Sequence, residues 1–550
     1  MTGWGAVRAY LPARADYRDL RRTWRSDLLA GVTVGIVALP LALAFGVSSG
    51  AGAEAGLVTA IIAGVVAAVF GGSNVQVSGP TGAMVVVLGP IIAAHGVGVL
   101  GAVCLFAGVI VIAAGALRLG RAVTLIPWPV IEGFTLGIAV IIFLQQIPAA
   151  LGTKPGPSSN AFVAAVQSVA TVSTNTLWWS LLVVALVAVI MVGAPLLHKK
   201  LPGSILAIII VSTAAALAHL PVATIGLLPD ALPAPRAPAL DWATTVSLIG
   251  PAFTVAALAG IESLLSARVA ASISDTGPYD ADRELIGQGL ASVASGFFGG
   301  MPATGAIART AVNVRAGAHT RFAAIVHALV LLLVVYLAST VVAVIPLAAL
   351  AGVLMVTSTR MVSIRALRTV LSSTRADAFV FAITALITVS FDLIYAVGIG
   401  IAIAAFFALR TLATTSDIHR EELPGPAQPG DDRIALFRLD GALFFAATDR
   451  ILSRVNSTQN VTVVILRMSQ LHILDATGAQ VLAELITQLE RRGITVLVKG
   501  IQPRHLNLAT RVGVIDALRH HNHLFEDLDA AAAHARSHIS RAAATSPQHP

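Results

Sequence analysis

The chain has 550 residues, of which 56% are hydrophobic and only 12% are charged. A soluble globular domain has about 25% charged residues, so this composition excludes a soluble enzyme or binding module and predicts a polytopic α-helical membrane protein. The formal net charge of +8 does not indicate a nucleic-acid partner, because much of it lies in a basic lead and in loops. The sequence has no nucleotide loop, zinc pattern or nucleophile triad, so we expect no enzymatic activity and no organic cofactor.

Apolar segments follow the lead in two groups of seven. Residues 1–26 form the lead, whose arginines favour a cytoplasmic N-terminus, and residues 27–413 form the predicted membrane domain. The segments lie near 28–49, 55–71, 82–95, 97–117, 129–150, 177–194 and 203–219, and near 246–272, 286–299, 305–315, 320–345, 347–363, 377–393 and 395–412. An odd number of spans in each half predicts 7+7 inverted repeats, and the even total of fourteen returns the chain to the cytoplasmic side of the cell membrane.

Two of these segments, 82–95 and 305–315, are too short to cross a hydrocarbon core of about 30 Å. Each follows a proline and the phrase Thr-Gly-Ala. Paired breaks in corresponding halves predict two half-helices at a transporter's binding site, and free N–H groups at helix N-termini suit an anion. The alternative is helix capping without a ligand. The predicted anion-binding residues are Thr81, Gly82, Ala83, Thr304, Gly305 and Ala306, with the N–H groups of the four Gly and Ala residues pointing at the anion.

Glu262 interrupts an apolar helical segment of the second half. Ionisable groups inside membrane helices are costly and are functional candidates, and Ser266, four residues on, shares a helix face with Glu262. This carboxylate and hydroxyl predict a site for a coupling cation, either Na⁺ or a proton, and we expect no other metal. The alternative is a satisfied internal hydrogen bond. Arg309, about one turn into the second half-helix, either adds positive potential near the site or pairs with a carboxylate.

The C-terminal quarter changes character. Residues 414–432 are rich in Pro, Gly and acidic side chains and predict a linker, and residues 433–536 alternate strand-like and helical runs typical of a small α/β domain. Residues 537–550 predict a disordered tail. Asp475 and Thr477 lie in an Asp-Ala-Thr-Gly turn that is either a helix cap or a regulatory phosphorylation surface. The histidines at 520, 521 and 523 predict a solvated surface and not a metal site.

At these residues the chain resembles the SulP family of anion transporters with a C-terminal STAS domain. The resemblance rests on residues 27–35, 75–82, 284–290 and 302–314. It implies a core domain of segments 1–4 and 8–11 and a gate domain of segments 5–7 and 12–14, with elevator-like movement between them. It also implies homodimers surrounded by membrane lipid, and a cytoplasmic partner for the STAS domain. Thr477 takes the place of a serine that can be phosphorylated in STAS proteins.

The substrate is left open by two departures from the family pattern. Sulfate-type members have a polar side chain near the anion where this chain has Leu41, and the surrounding residues look more like the bicarbonate-type branch. Sodium-coupled bicarbonate members resemble this chain at Glu262 and Ser266, but with Asp and Thr. We therefore expect secondary transport of sulfate or bicarbonate, by Na⁺ or H⁺ symport or by exchange. The alternatives are a dicarboxylate transporter, or an anion-responsive scaffold or sensor that signals through the STAS domain.

Overall fold

The computed structural model describes residues 10–121, 126–156, 158, 160–198, 202–226, 231–238, 242–390, 393–415, 417–443 and 460–545. The chain divides into two compact units, Met1–Ala402 and Ile403–Pro550. The first unit is helical apart from one short strand pair, and the second contains a mixed β-sheet with helices.

The bounds of the predicted segments in the first half of the membrane unit agree with the structure to within about three residues, except that the first helix begins at Leu20, inside the predicted lead. The helices are α1 (Leu20–Ser48), α2 (Ala53–Phe70), α3 (Gly82–His95), α4 (Leu100–Ala116), α5 (Trp128–Ala150), α6 (Ala161–Val169), α7 (Thr174–Leu197) and α8 (Gly203–Leu217). Helix α6 was not predicted; it begins at the N-cap Asn160, whose side chain accepts hydrogen bonds from two backbone N–H groups. Helix α2 passes through a π-helical turn, Thr59–Ala63.

The second half repeats this arrangement. Its helices are α9 (Trp242–Ile273), α10 (Ala281–Phe297), α11 (Ile307–Arg315), α12 (Phe322–Ala343), α13 (Leu347–Met361), α14 (Ile364–Ser373), α15 (Arg375–Ser390) and α16 (Leu393–Thr415). Among the described residues, eight helical stretches are long and apolar enough to cross a membrane, and one of them consists of α13 and the unpredicted α14 together; α3 and α8 are shorter apolar helices. All fourteen predicted segments are helical, whereas the number that crosses the membrane stays a prediction.

Helix packing follows the two predicted repeats. Helix α1 packs on α12, and the corresponding α9 packs on α4; likewise α5 packs on α15, and α13 packs on α7. If each helix is replaced by its counterpart in the other half, the α1–α12 contact becomes the α9–α4 contact, and the α5–α15 contact becomes the α13–α7 contact. This symmetry brings the chain breaks before α3 and α11 to the same region of the unit.

Small residues let the core helices approach closely. A Cβ on Gly108 of α4 would lie 2.7 Å from the carbonyl oxygen of Gly289 of α10, and a Cβ on Gly289 would lie 2.6 Å from that of Gly108. Membrane helices commonly pack through such positions. In lipid the hydrophobic effect does not bring helices together, so their association depends on close van der Waals contact. The α4–α10 contact therefore has no room for a side chain at either glycine.

The C-terminal unit is built on a six-stranded sheet. The strands of the membrane unit are β1 (Ser78–Gly79) and β2 (Thr304–Gly305). Those of the C-terminal unit are β3 (Asp417–Glu421), β4 (Ile434–Leu443), β5 (Val463–Arg467), β6 (Leu471–Leu474), β7 (Thr495–Lys499) and β8 (Leu524–Phe525). The order is β3-β4-β5-β7-β8, with β6 also paired to β4; β3 is antiparallel to β4 and the other pairs are parallel. The helices are α17 (Ala476–Arg491), α18 (Pro503–Arg511) and α19 (Leu528–Thr545).

Alternate residues of the central strands face different helices, as a period of two requires. Phe437 and Val464 belong to the cluster of buried residues that contains Leu485 of α17. Leu436 and Ile465 belong instead to the cluster that contains Ala535 of α19. The sheet is therefore covered by a helix on each face.

Three sequence-based expectations for this unit are wrong. The predicted linker contains strand β3, which pairs along β4. The predicted disordered tail is helical as far as Thr545, because Ala531, Ala535 and Ile539 of α19 are buried against the sheet. His523 is only 2% exposed, so the predicted solvated histidine surface does not extend to it. Residues 546–550 lie outside the described part of the chain.

Candidate functional site

The chain just before the first Thr-Gly-Ala phrase pairs with the second phrase. Strand β1 (Ser78–Gly79) is antiparallel to β2 (Thr304–Gly305), with Ser78 opposite Gly305 and Gly79 opposite Thr304. Helix α3 begins directly after the first phrase's Thr81, and α11 begins after Ala306. The paired strands thus bring the N-termini of two short helices together, as the repeated phrase predicted.

Two of the N–H groups that were predicted to hold an anion are bonded to acceptors within the protein. Gly305 N–H donates to the hydroxyl of Ser263 at 3.1 Å, and Ala306 N–H donates to the carbonyl of Val77 at 2.9 Å. The prediction for these two N–H groups is therefore wrong. The Gly305 N–H is occupied by a hydroxyl of α9, and the Ala306 N–H by Val77, which precedes β1 and lies more than 200 positions away; α11 starts only at Ile307.

Four other N–H groups open the two half-helices. They belong to Gly82 and Ala83 of α3 and to Ile307 and Ala308 of α11. The first turn of a helix has no intrahelical acceptor for these donors, and none of the described residues bonds to them. Together with the helix dipoles, they form an electropositive region suited to an anion.

The carboxylate of Glu262 lies between the two phrases. Its Oε2 accepts a hydrogen bond from Thr81 Oγ1 and another from Thr304 Oγ1, each at 2.8 Å, and the two hydroxyl oxygens are 3.0 Å apart. Glu262 comes from α9, a third element of the chain. The threonine hydroxyls therefore hold the carboxylate, and the three oxygens form a compact set that suits a hard cation or a proton.

Ser266 is buried one turn after Glu262, as the helical spacing predicted. Its Oγ lies 3.3 Å from Oγ1 of Thr310 on α11, and the Thr310 hydroxyl also accepts the N–H of Val77 at 3.0 Å. Sequence reasoning missed Thr310 and Ser263. Only their proximity in sequence to predicted site residues could have indicated them: Ser263 directly follows Glu262, and Thr310 lies one helical turn after Ala306.

Arg309 is 2% exposed and lies against the start of α3. Its Nη2 donates to the carbonyl of Pro80 at 2.5 Å, while Nη1 has no partner among the described residues. Arg309 forms no ion pair with any carboxylate that the structure describes. Of the two predicted roles, the structure favours added positive potential. Gly79 has φ +152° and leaves room for the guanidinium, since a Cβ there would lie 2.8 Å from Nη1.

The opposite side of the site is apolar. Leu41 and Phe45 of α1 and Ile142 of α5 belong to the same buried cluster as Ala83. A Cβ on Gly82 would lie 2.2 Å from Cδ1 of Ile142, so α5 packs directly on the start of α3. Cε1 of Phe45 would lie 3.5 Å from the same Cβ, so the side chains packed on this end of α3 offer no hydrogen bonds, and neither does that of Leu41.

A polar network from α10 positions strand β1. Gln288 Nε2 donates to the hydroxyl of Ser78 and, at 3.0 Å, to Oε1 of Glu284. Glu284 Oε2 in turn accepts the N–H groups of Gly72 at 2.7 Å and Ser73 at 3.2 Å. The sequence identified residues 284–290 only through the family resemblance, whereas the structure gives them a positioning role beneath the first phrase.

In the C-terminal unit, Asp475 is the N-cap of α17. Its Oδ1 accepts the N–H of Gly478 at 2.7 Å, which is the capping role predicted from the sequence. Thr477 is exposed on the first turn of the helix. Its phosphorylation stays a prediction.

Comparison with known proteins gives consistent matches along most of the chain. Residues 24–384 match the sulfate permease family, and residues 426–531 match the STAS domain. The putative sulfate transporter YvdB of Bacillus subtilis is 35% identical over 92% of this chain and 97% of its own length. The bicarbonate transporter BicA of Synechocystis is 31% identical over 87% of this chain and 88% of its own. The murine Slc26a9 anion transporter, solved in the inward-facing state, has the same fold, with a TM-score of 0.80 at 18% identity over 93% of this chain and 91% of that chain.

Proposed function

Since this chain belongs to the sulfate permease family and carries a C-terminal STAS domain, we propose that it is a secondary active transporter of sulfate or bicarbonate. It is a multi-pass membrane protein of a transporter family and not an enzyme. The observation that carries the proposal is the meeting of two half-helix N-termini beside a buried arginine. Four N–H groups without a partner among the described residues can replace the hydrogen bonds that an anion loses when it leaves water. The positive charge of Arg309 adds an attractive electrostatic potential.

Glu262 supplies the coupling in this proposal. An anion next to an unneutralised carboxylate is repelled, by about 4 kcal/mol for unit charges about 4 Å apart at an effective dielectric constant of about 20. A cation bound by Glu262, Thr81 and Thr304 removes that repulsion, so cation and anion bind cooperatively. Na⁺ and H⁺ both suit this oxygen set. Ser266 supports the same region from the next turn of α9.

Elevator-like alternating access fits the division of the site between elements. The charged groups and the free N–H groups come from α3, α9 and α11, which belong to the proposed core domain, whereas Ile142 comes from α5 of the proposed gate domain. If the core moved past the gate, all the polar groups of the site would move together, and only their apolar contacts with the gate would change. We further propose a homodimer in lipid, with the STAS domain available to a cytoplasmic partner.

The substrate is proposed as sulfate or bicarbonate because relatives named for each anion match the chain over similar lengths. Leu41 places an apolar side chain where the resemblance expects a polar one in sulfate-type members, and this favours the smaller, singly charged bicarbonate. Backbone N–H groups bind many anions alike, so a dicarboxylate competes for the same site.

Substitution of Ala83 tests whether the site carries the anion. Ala83 is 2% exposed in the first turn of α3, so Ala83→Leu would fill the space before the half-helix. We expect labelled sulfate and bicarbonate uptake into proteoliposomes to fall to the background of protein-free vesicles. Ala113→Leu, at an exposed position of α4, is the matched control and retains uptake. Wild-type flux by Ala83→Leu would refute this site, and anion binding without flux by the wild type would favour a sensor.

A further inference from the structure

Three histidines of the C-terminal unit converge at the middle of the last helix. His534 and His538 lie four residues apart on α19 and share a face, and His523 belongs to the short 3₁₀ turn His521–His523 before β8. One ring nitrogen from each histidine lies within 4.8 Å of the corresponding nitrogens of the other two. This cluster, His523/His534/His538, is separate from the transport site.

The spacing of His534 and His538 fits two ligands of a tetrahedral metal ion. Nε2 of His534 is 3.3 Å from Nε2 of His538. Two ligands at the zinc–nitrogen distance of about 2.0–2.1 Å and at a tetrahedral angle are separated by about 3.3–3.4 Å. Zinc-binding helices also commonly present two histidine ligands at positions i and i+4.

The third histidine lacks another partner. His523 is 2% exposed, and its Nδ1 has no hydrogen-bond partner among the described residues. A buried ring nitrogen without a partner is destabilising, and a metal ion would satisfy it.

The supporting elements are held in place before any metal binds. Ala531, Ala535 and Ile539 fix α19 against the sheet, and Arg536 pairs with Asp431 at 2.8 Å. The helix therefore presents its two histidines from a rigid surface, which reduces the entropy lost when the site is occupied.

From this geometry we propose that His523, His534 and His538 form a binding site for a divalent transition-metal ion, with Zn²⁺ as the probe. The fourth position is open to water or to the exposed His520, whose ring centroid lies 5.4 Å from that of His523. The bound ion would join α19 to the turn before β8. It performs no chemistry in the transport cycle and stabilises the C-terminal unit.

Metal titration of the full-length protein tests the proposal. The protein is purified in detergent with a tag that contains no histidine, treated with a chelator, and titrated with Co²⁺, followed by competition between Zn²⁺ and a chromogenic chelator. We expect one site per chain and the visible absorption of tetrahedral Co²⁺. Loss of two ligands in His534→Asn/His538→Asn should weaken Zn²⁺ binding on the order of 100-fold or more, since even supporting residues contribute 10–100-fold.

Two control variants keep the outcome interpretable. His472→Asn and His521→Asn change exposed histidines of the same unit and should leave the affinity unchanged. His534 and His538 are only partly buried, so their Asn variants should keep the fold, which is checked by the circular dichroism and melting temperature of the metal-free protein. Absence of Zn²⁺ and Co²⁺ binding by the wild type, or equal binding by the double variant, would overturn the proposal. Neither result bears on the transport function.

Discussion

The substitution Glu262→Gln separates the charge of this side chain from its size. Glu262 Oε2 accepts two hydroxyl hydrogen bonds at 2.8 Å, and the amide oxygen of glutamine can accept the same two. Packing is therefore nearly retained, while the negative charge is lost. A unit charge about 4 Å from a bound cation contributes about 4 kcal/mol at an effective dielectric constant of about 20. We expect cation affinity to fall by roughly 1000-fold.

The assay is initial anion uptake into proteoliposomes as a function of external Na⁺ and of pH. For Glu262→Gln we expect uptake that is slow and no longer stimulated by either cation. Glu262→Asp keeps the charge but shortens the side chain, so it should retain stimulation at higher cation concentration. Glu54→Gln, in the first turn of α2, is a matched carboxyl-to-amide control and should behave as wild type. Full cation dependence in Glu262→Gln would refute the coupling role.

Three further predictions follow from individual contacts. Arg309→Gln removes the buried positive charge beside α3 and should raise the KM for the anion at least about tenfold, a loss of about 1.4 kcal/mol, in the uptake assay; an unchanged KM would contradict its electrostatic role. Gly305→Ala would place a Cβ 1.8 Å from Nε2 of Gln76, so overpacking of about 1–3 kcal/mol should lower the melting temperature and abolish uptake; wild-type behaviour would show that Gly305 is not closely packed against Gln76. Ile539→Ala should destabilise the C-terminal unit by about 2–5 kcal/mol in denaturant unfolding, whereas the exposed Ser540→Ala should not; equal stability would restore the disordered tail.

The sequence predicted the short helix α3 well because its limits are local. Thr81 and Gly82 break the preceding chain, and Gly96 has positive φ at the C-terminus of the helix, so the predicted bounds 82–95 agree with the structure. Helix α11 begins two residues later than predicted, at Ile307. Its start depends on the pairing of β2 with β1, and no local pattern encodes a partner that lies more than 200 residues away.

The same limit applies to the candidate site. Glu262 was identifiable as an isolated charge in an apolar helix, but its bonds to Thr81 and Thr304 connect distant segments. Helix α19 differs because its signal is local. Ala535 and Ile539 are four residues apart, as on one face of a helix, but the small and polar residues around them obscured this pattern. The prediction of a disordered tail relied on composition where periodicity was informative.

Gradient-driven accumulation tests the central claim most directly. Purified wild-type protein in sealed proteoliposomes is given labelled sulfate or bicarbonate under an imposed inward Na⁺ or H⁺ gradient. We predict that one of these anions accumulates above its equilibrium concentration with one of the two gradients, and that the accumulation collapses when the gradient is dissipated. Uptake of neither anion above protein-free vesicles, with either gradient, would contradict secondary active transport of these anions by the Glu262 and half-helix site.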